Sequence, residues 1–158
     1  RIENDNRMAS KNKIHDGEKA LIDMGCYVAS PINLCVLLTP NEQVVLNVIR
    51  HSKNLGQRFI SNSALQVSTG LSENTVRNVR DALLQLNIIE QVGKTTSAGL
   101  EYKINHKVLC TIIEELNNTK NPIERLVLAD RFRGKKLARH TAHIKKYRDS
   151  ELDGKFNN

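Results

Sequence analysis

The chain has 158 residues, 39% hydrophobic and 4% aromatic, with 24 Lys and Arg against 17 Asp and Glu for a net charge of +7. That length suits one domain with appendages, and the lack of Trp among so few aromatics argues against a stacking platform for single strands. The most apolar stretch, Ile32 to Leu38, is far too short to cross a membrane, and Cys26, Cys35 and Cys110 are spaced for neither a zinc site nor a disulfide framework.

Residues 1–15 are polar and expected to be disordered. Asp16 to Met24 can form a turn or two of helix, with Leu21, Ile22 and Met24 seeking cover. At Leu38-Thr39-Pro40-Asn41-Glu42 a helix should begin. Thr39 is its cap, Pro40 takes the first helical position, and Glu42 stands three residues on, as a capping box requires. Val44, Val45, Leu46, Val48 and Ile49 continue that helix until Asn54-Leu55-Gly56 stops it. Arg58-Phe59-Ile60 reads as a short strand, and Ser61 caps a second helix bearing Ala64, Leu65 and Val67.

A sharp turn follows at Thr69-Gly70-Leu71, where Gly70 supplies positive φ and Leu71 plugs the angle between helices. Ser72 then caps a helix running to Asn87, whose inner face is Val76, Val79, Leu83 and Leu86. The other face carries Asn74, Arg77, Asn78, Asp81 and Gln85. Arg and Asn have the geometry for bidentate contacts to guanine and adenine edges in the major groove. The candidate readers are Glu73, Asn74, Arg77 and Asn78, with Ser72 and Thr75 nearer phosphate and Asp81 further along the same face.

Ile88 to Val92 and Leu100 to Ile104 read as two strands around a loop of small polar residues, Gly93 to Gly99. Placed directly after two helices and a turn, such a hairpin is a wing, and Lys94, Thr95, Thr96 and Ser97 at its tip suit phosphate or minor-groove contact. Val108, Leu109, Ile112, Ile113 and Leu116 give the next helix an apolar face. Core packing is its simpler use and a homodimer interface the other. Asn121 and Pro122 open a further helix with Ile123, Leu126, Val127 and Ala129 on its apolar side, and Gly134 weakens helix propensity after it.

Charge is unevenly placed. Residues 1–38 hold five basic and five acidic side chains, residues 39–119 eight and seven, and residues 120–158 eleven and five. From Arg131 to Arg148 the cations Arg131, Arg133, Lys135, Lys136, Arg139, Lys145, Lys146 and Arg148 follow one another with no acid between them. Such a segment attracts the phosphate backbone and adds affinity without base readout. A solvated tail and an RNA- or membrane-binding segment are the competing readings. His140 and His143 are taken as part of this basic surface rather than as metal ligands.

The order helix, short strand, helix, turn, helix, hairpin resembles the winged helix-turn-helix superfamily. It is closest to the helix-turn-helix domains of phage and plasmid replication proteins. Leu-Thr-Pro-Asn-Glu at 38–42, Phe-Ile-Ser at 59–61 and Thr-Gly-Leu-Ser-Glu-Asn-Thr-Val-Arg at 69–77 carry the resemblance, which covers about residues 28–105. Val28 to Ile32 is similar to the extended entry segment of those domains. Two positions depart from the pattern: Arg80 stands where the family has an apolar residue, so its head group is expected at the core margin facing outward, and Asn87 replaces a Gly.

The resemblance implies a mainly α protein with a small β-hairpin wing (α+β), having an N-terminal extension over 1–27, a winged domain over 28–118 and a basic C-terminal helix or tail over 119–158. It implies a sequence-specific double-stranded DNA-binding protein of a bacterial mobile element, acting at a replication origin or operator. A transcriptional repressor, a partition or conjugation accessory protein and a protein-interaction module are the alternatives. Homodimerisation and contacts with replication or partition proteins are the further partners to be expected, with no membrane partner. No catalytic constellation is found: Gly134-Lys135-Lys136 lacks the rest of a phosphate-binding loop, and no nucleophile elbow is present. No cofactor or metal is called for, and reduced, partly buried thiols in a cytoplasmic protein are expected.

Overall fold

At three of the expected helix starts the cap is a hydroxyl side chain that the sequence offers. Thr39 Oγ1 accepts from the Glu42 amide at 3.3 Å while Glu42 Oε1 accepts from the Thr39 amide at 2.9 Å, a complete capping box. Ser61 Oγ accepts from Ala64 N at 3.0 Å, and Ser72 Oγ from Thr75 N at 3.2 Å. In the computed structural model, which describes residues 16–23 and 30–156, these caps open three of eight helices among the described residues.

In chain order the elements are α1 (Asp16–Asp23), α2 (Leu34–Leu37), α3 (Pro40–Asn54), β1 (Phe59–Ile60), α4 (Asn62–Thr69), α5 (Glu73–Gln85), β2 (Ile89–Thr96), β3 (Gly99–Ile104), α6 (His106–Asn118), α7 (Pro122–Arg133) and α8 (Ala138–Phe156). The protein is thus mainly helical with a small antiparallel sheet, ordered β1-β3-β2. No helix among the described residues is long and apolar enough to cross a membrane. The expectations for residues 1–15, Met24, Cys26 and Val28-Ala29 lie outside the described residues, as do the side chains of Leu21 and Ile22.

The core gathers the inward faces that helical spacing assigns: Val45, Leu46 and Ile49 from α3, Val76, Val79 and Leu83 from α5, and Leu109, Ile112 and Leu116 from α6. The apolar face of α6 is therefore spent in the core. The Ile32–Leu38 stretch contributes too, since α2 buries Leu34 and Leu37 and is followed by buried Leu38. Ile89, Leu100, Tyr102 and Ile104 supply the sheet's inner side, and Ile88 is buried just before β2. Burial pushes the Tyr102 hydroxyl above its usual range, with the Arg80 guanidinium opposing the shift.

Four expectations need correction. The hairpin is tighter than expected, because β2 runs on through Gly93, Lys94 and Thr95 to Thr96, leaving only Ser97 and Ala98 between the strands. Two extra residues are taken up as an irregularity between the Val92↔Glu101 and Thr96↔Gly99 pairs, where Gly93 has φ 72°. The apolar side of α7 is only partly as expected: Ala129 is buried, but Val127 is exposed, and Leu128 and Phe132 pack against the core instead. Arg80 lies at the core margin as expected, but its head group is turned to its neighbours, since its guanidinium donates to Asn62 Oδ1 of α4 at 3.1 Å and its side chain is only 18% exposed. Cys35 and Cys110 are exposed free thiols, not partly buried ones.

The segment after residue 119 packs on the rest of the chain. Asn121 Oδ1 accepts from the Ile123 and Glu124 amides to start α7, and Gly134, with φ 72°, ends it. Buried Asn33, just before α2, accepts from Arg125 of α7 and donates to Asn117 of α6. Arg133 grips Glu42 through two bonds, of 2.6 and 2.9 Å, with both side chains 5% exposed. Arg139 Nη2 donates to the carbonyls of Cys35, Val36 and Leu38, which α2 leaves open at its end.

Candidate nucleic-acid interface

Gly70 has φ 73° and donates to Gln66 O at 2.8 Å, which closes α4 and turns the chain sharply. Thr69 fixes the same corner. Its hydroxyl donates to Leu65 O at 2.6 Å and accepts from Leu71 N at 3.2 Å. Ser72 then starts α5, and α5 packs on α3 and α4. At its other end α5 stops in a Schellman arrangement. Ile88 N donates to Leu83 O at 3.2 Å and Asn87 N to Leu84 O at 3.0 Å, with Asn87 at φ 59°. Asn thus performs the left-handed role that Gly usually takes. Replacing Ser72 by alanine should cost about 1 kcal/mol, a fall in Tm of roughly 3 °C, recovered by Ser72→Asp. Thermal unfolding of the two variants measures this.

The outer face of α5 stands clear of the core. Asn74, Arg77, Asn78, Asp81 and Gln85 are all exposed. Asn74 and Asn78 have no hydrogen-bond partner among the described residues, so their amides are free to donate and accept at once. Arg77 is held by Glu73 at 2.6 Å, one helical turn earlier. Both side chains are more than half exposed, so this pair contributes little to stability and is readily exchanged for another partner. Asp81 lies beside Arg80 at 3.7 Å. Ser72 and Thr75 are occupied locally, since Ser72 Oγ donates to Thr75 Oγ1 at 2.9 Å in addition to capping the helix.

At the hairpin tip Lys94, Thr95, Thr96 and Ser97 are exposed. Thr96 is the structural member of this set: its hydroxyl donates to Gly99 O at 2.9 Å and accepts from Ala98 N at 3.2 Å, which closes the turn. Lys94, Thr95 and Ser97 remain open to solvent.

The basic segment divides in two. Arg131, Lys135, Lys136, Lys145, Lys146 and Arg148 are exposed. Arg133 and Arg139 are not available as surface cations, because one is consumed by buried Glu42 and the other by the carbonyls around α2. His140 also leaves the basic surface. It is 2% exposed, and its Nδ1 lies 2.6 Å from Asp130 Oδ1, while His143 stays exposed. No group of three or more potential metal ligands occurs among the described residues.

Sequence reasoning missed the polar ties at Asn33, Asn117 and Arg125, and the burial of Asp130 with His140. Nothing local marks these residues, because each partner but the last lies more than 80 positions away. In comparison with known proteins, no family model matches the chain and no curated protein is significantly similar to it.

Proposed function

We propose that this chain is a sequence-specific double-stranded DNA-binding protein with a winged helix-turn-helix, in which α5 enters the major groove and the β2–β3 hairpin is the wing. The supporting observation is the exposed row on α5 of Asn74, Arg77 and Asn78, presented by a helix fixed at both ends and packed on α3 and α4. A major groove admits a helix so presented, and those side chains match base edges there. Lys94, Thr95 and Ser97 would meet the flanking backbone. Contacts of this kind position a protein without reading sequence.

The resemblance to phage and plasmid replication proteins favours a mobile-element protein marking an origin or operator. A repressor would use the same chemistry at a different place. The near-balance of charge over residues 39–119, eight basic against seven acidic, favours a second reading, in which α5 and the hairpin dock a protein.

Selection from random duplexes, with salt-titrated competition, tests the first reading. A specificity ratio above roughly 10³ over bulk DNA is expected. Arg77→Ala with Asn78→Ala should erase most of that preference, since each bidentate contact discriminates by about 1–3 kcal/mol. Non-specific binding should persist. An enriched motif that survives the double change would remove α5 from the readout, and the absence of any motif would favour the docking surface.

A further inference from the structure

The cations of residues 131–148 are sorted by the corner between α7 and α8. On one flank of α8, Arg139 and His140 fasten the helix inward to α2 and α7. On its other flank Thr141, Lys145 and Arg148 follow at spacings of four and three and so share a face. Across from them stand Arg131 at the end of α7 and Lys135 and Lys136 in the connection. Together these six residues line a cleft of about 700 Å³, with Val127 and Ile144 supplying apolar wall.

We infer that this cleft is a binding site for clustered phosphate groups, formed by Arg131, Lys135, Lys136, Lys145 and Arg148. None of the five cations is paired with a carboxylate among the described residues. Two acids border the cleft. Asp130 is already engaged by His140 and by the Leu137 amide, which donates to it at 3.2 Å, and Asp149 lies on the last lining turn. Five like charges held close repel one another, and an anion of several charges relieves that repulsion while its counterions are released.

The cleft is built on fixed walls rather than on a loose tail. The Asp130–His140 pair and the Leu137 amide fasten α8 to α7, and the three carbonyls under Arg139 fasten it to the α2 region. A cavity of this size exceeds a single phosphate and suits consecutive phosphates of a nucleic-acid strand or the tail of a nucleoside triphosphate. The site does not depend on α5, so it stands whether or not α5 reads bases.

The test compares two doubly substituted full-length proteins of equal net charge. Lys136→Gln with Arg148→Gln removes two cleft cations. Lys107→Gln with Lys120→Gln removes two exposed lysines elsewhere on the surface. Binding to one random-sequence duplex is measured across a salt series, and binding to inorganic tripolyphosphate and to a nucleoside triphosphate by calorimetry, with thermal unfolding as a check of folding. The cleft variant should lose about two units of salt slope and bind the duplex several-fold more weakly, with the control close to the parent. That result assigns the cleft to a phosphodiester backbone. Saturable 1:1 binding of the triphosphate, lost in the cleft variant alone, instead assigns it to a free nucleotide or polyphosphate. Equal losses in the two variants, or no loss in either assay, would overturn the site. Failure of the α5 reading is separately visible, as a missing sequence motif with the salt slope intact.

Discussion

Arg133→Met is expected to destabilise the protein by about 3–5 kcal/mol, because it strands a buried carboxylate. Glu42 has its side chain 5% exposed, and both of its oxygens are held by the Arg133 guanidinium. Its remaining partner, the Thr39 amide, cannot compensate a full charge alone. Adding Glu42→Gln should recover most of the loss. The double variant has neither charge to desolvate, and the Gln amide oxygen can still accept from Thr39 N. Urea unfolding of the two single variants and the double gives the coupling energy directly. Additive losses would mean that the pair stabilises by packing and not by charge compensation.

The second large effect is expected at Gly99, where β3 begins. Its φ is 114°, and a Cβ placed there would lie 2.4 Å from Ile60 O and 2.5 Å from Ile60 C. The obstacle is backbone of β1, which cannot rotate away as a side chain would. Gly99→Ala combines about 1–3 kcal/mol of dihedral strain with a similar cost for overpacking, so a loss of roughly 3–5 kcal/mol is anticipated. Gly70→Ala is the matched control, since its φ of 73° is also positive but nothing lies within 4 Å of the added methyl. That change should cost only about 1–2 kcal/mol. Comparable Tm losses in the two variants would show that the approach of β3 to β1 relaxes easily.

The parts of the fold legible in the sequence are those decided within a few residues. Thr39, Ser61 and Ser72 announce their helices because a cap and its amide are three positions apart. Gly70 and the Val76, Val79, Leu83 spacing are equally local. The outer face of α5 was legible for the same reason. The division of the basic segment was not. Arg133 and Arg139 look like their surface neighbours in a charge count, and only partners 91 to 104 positions away distinguish them. The hairpin lies between these cases: the small polar residues from Gly93 to Gly99 mark a reversal of the chain, but an irregular strand and an open loop use the same residues.

The Glu42–Arg133 pair also bears on the order in which the chain can become a folded protein. The two residues are 91 positions apart. At synthesis rates of about 5–20 residues per second, Glu42 is made roughly 5–18 s before its cation. Until then the capping box can close the N-terminal end of α3, but the Glu42 carboxylate must stay in water. Closure of this contact therefore waits for α7, so the docking of α7 against α3 follows the synthesis of every element between them.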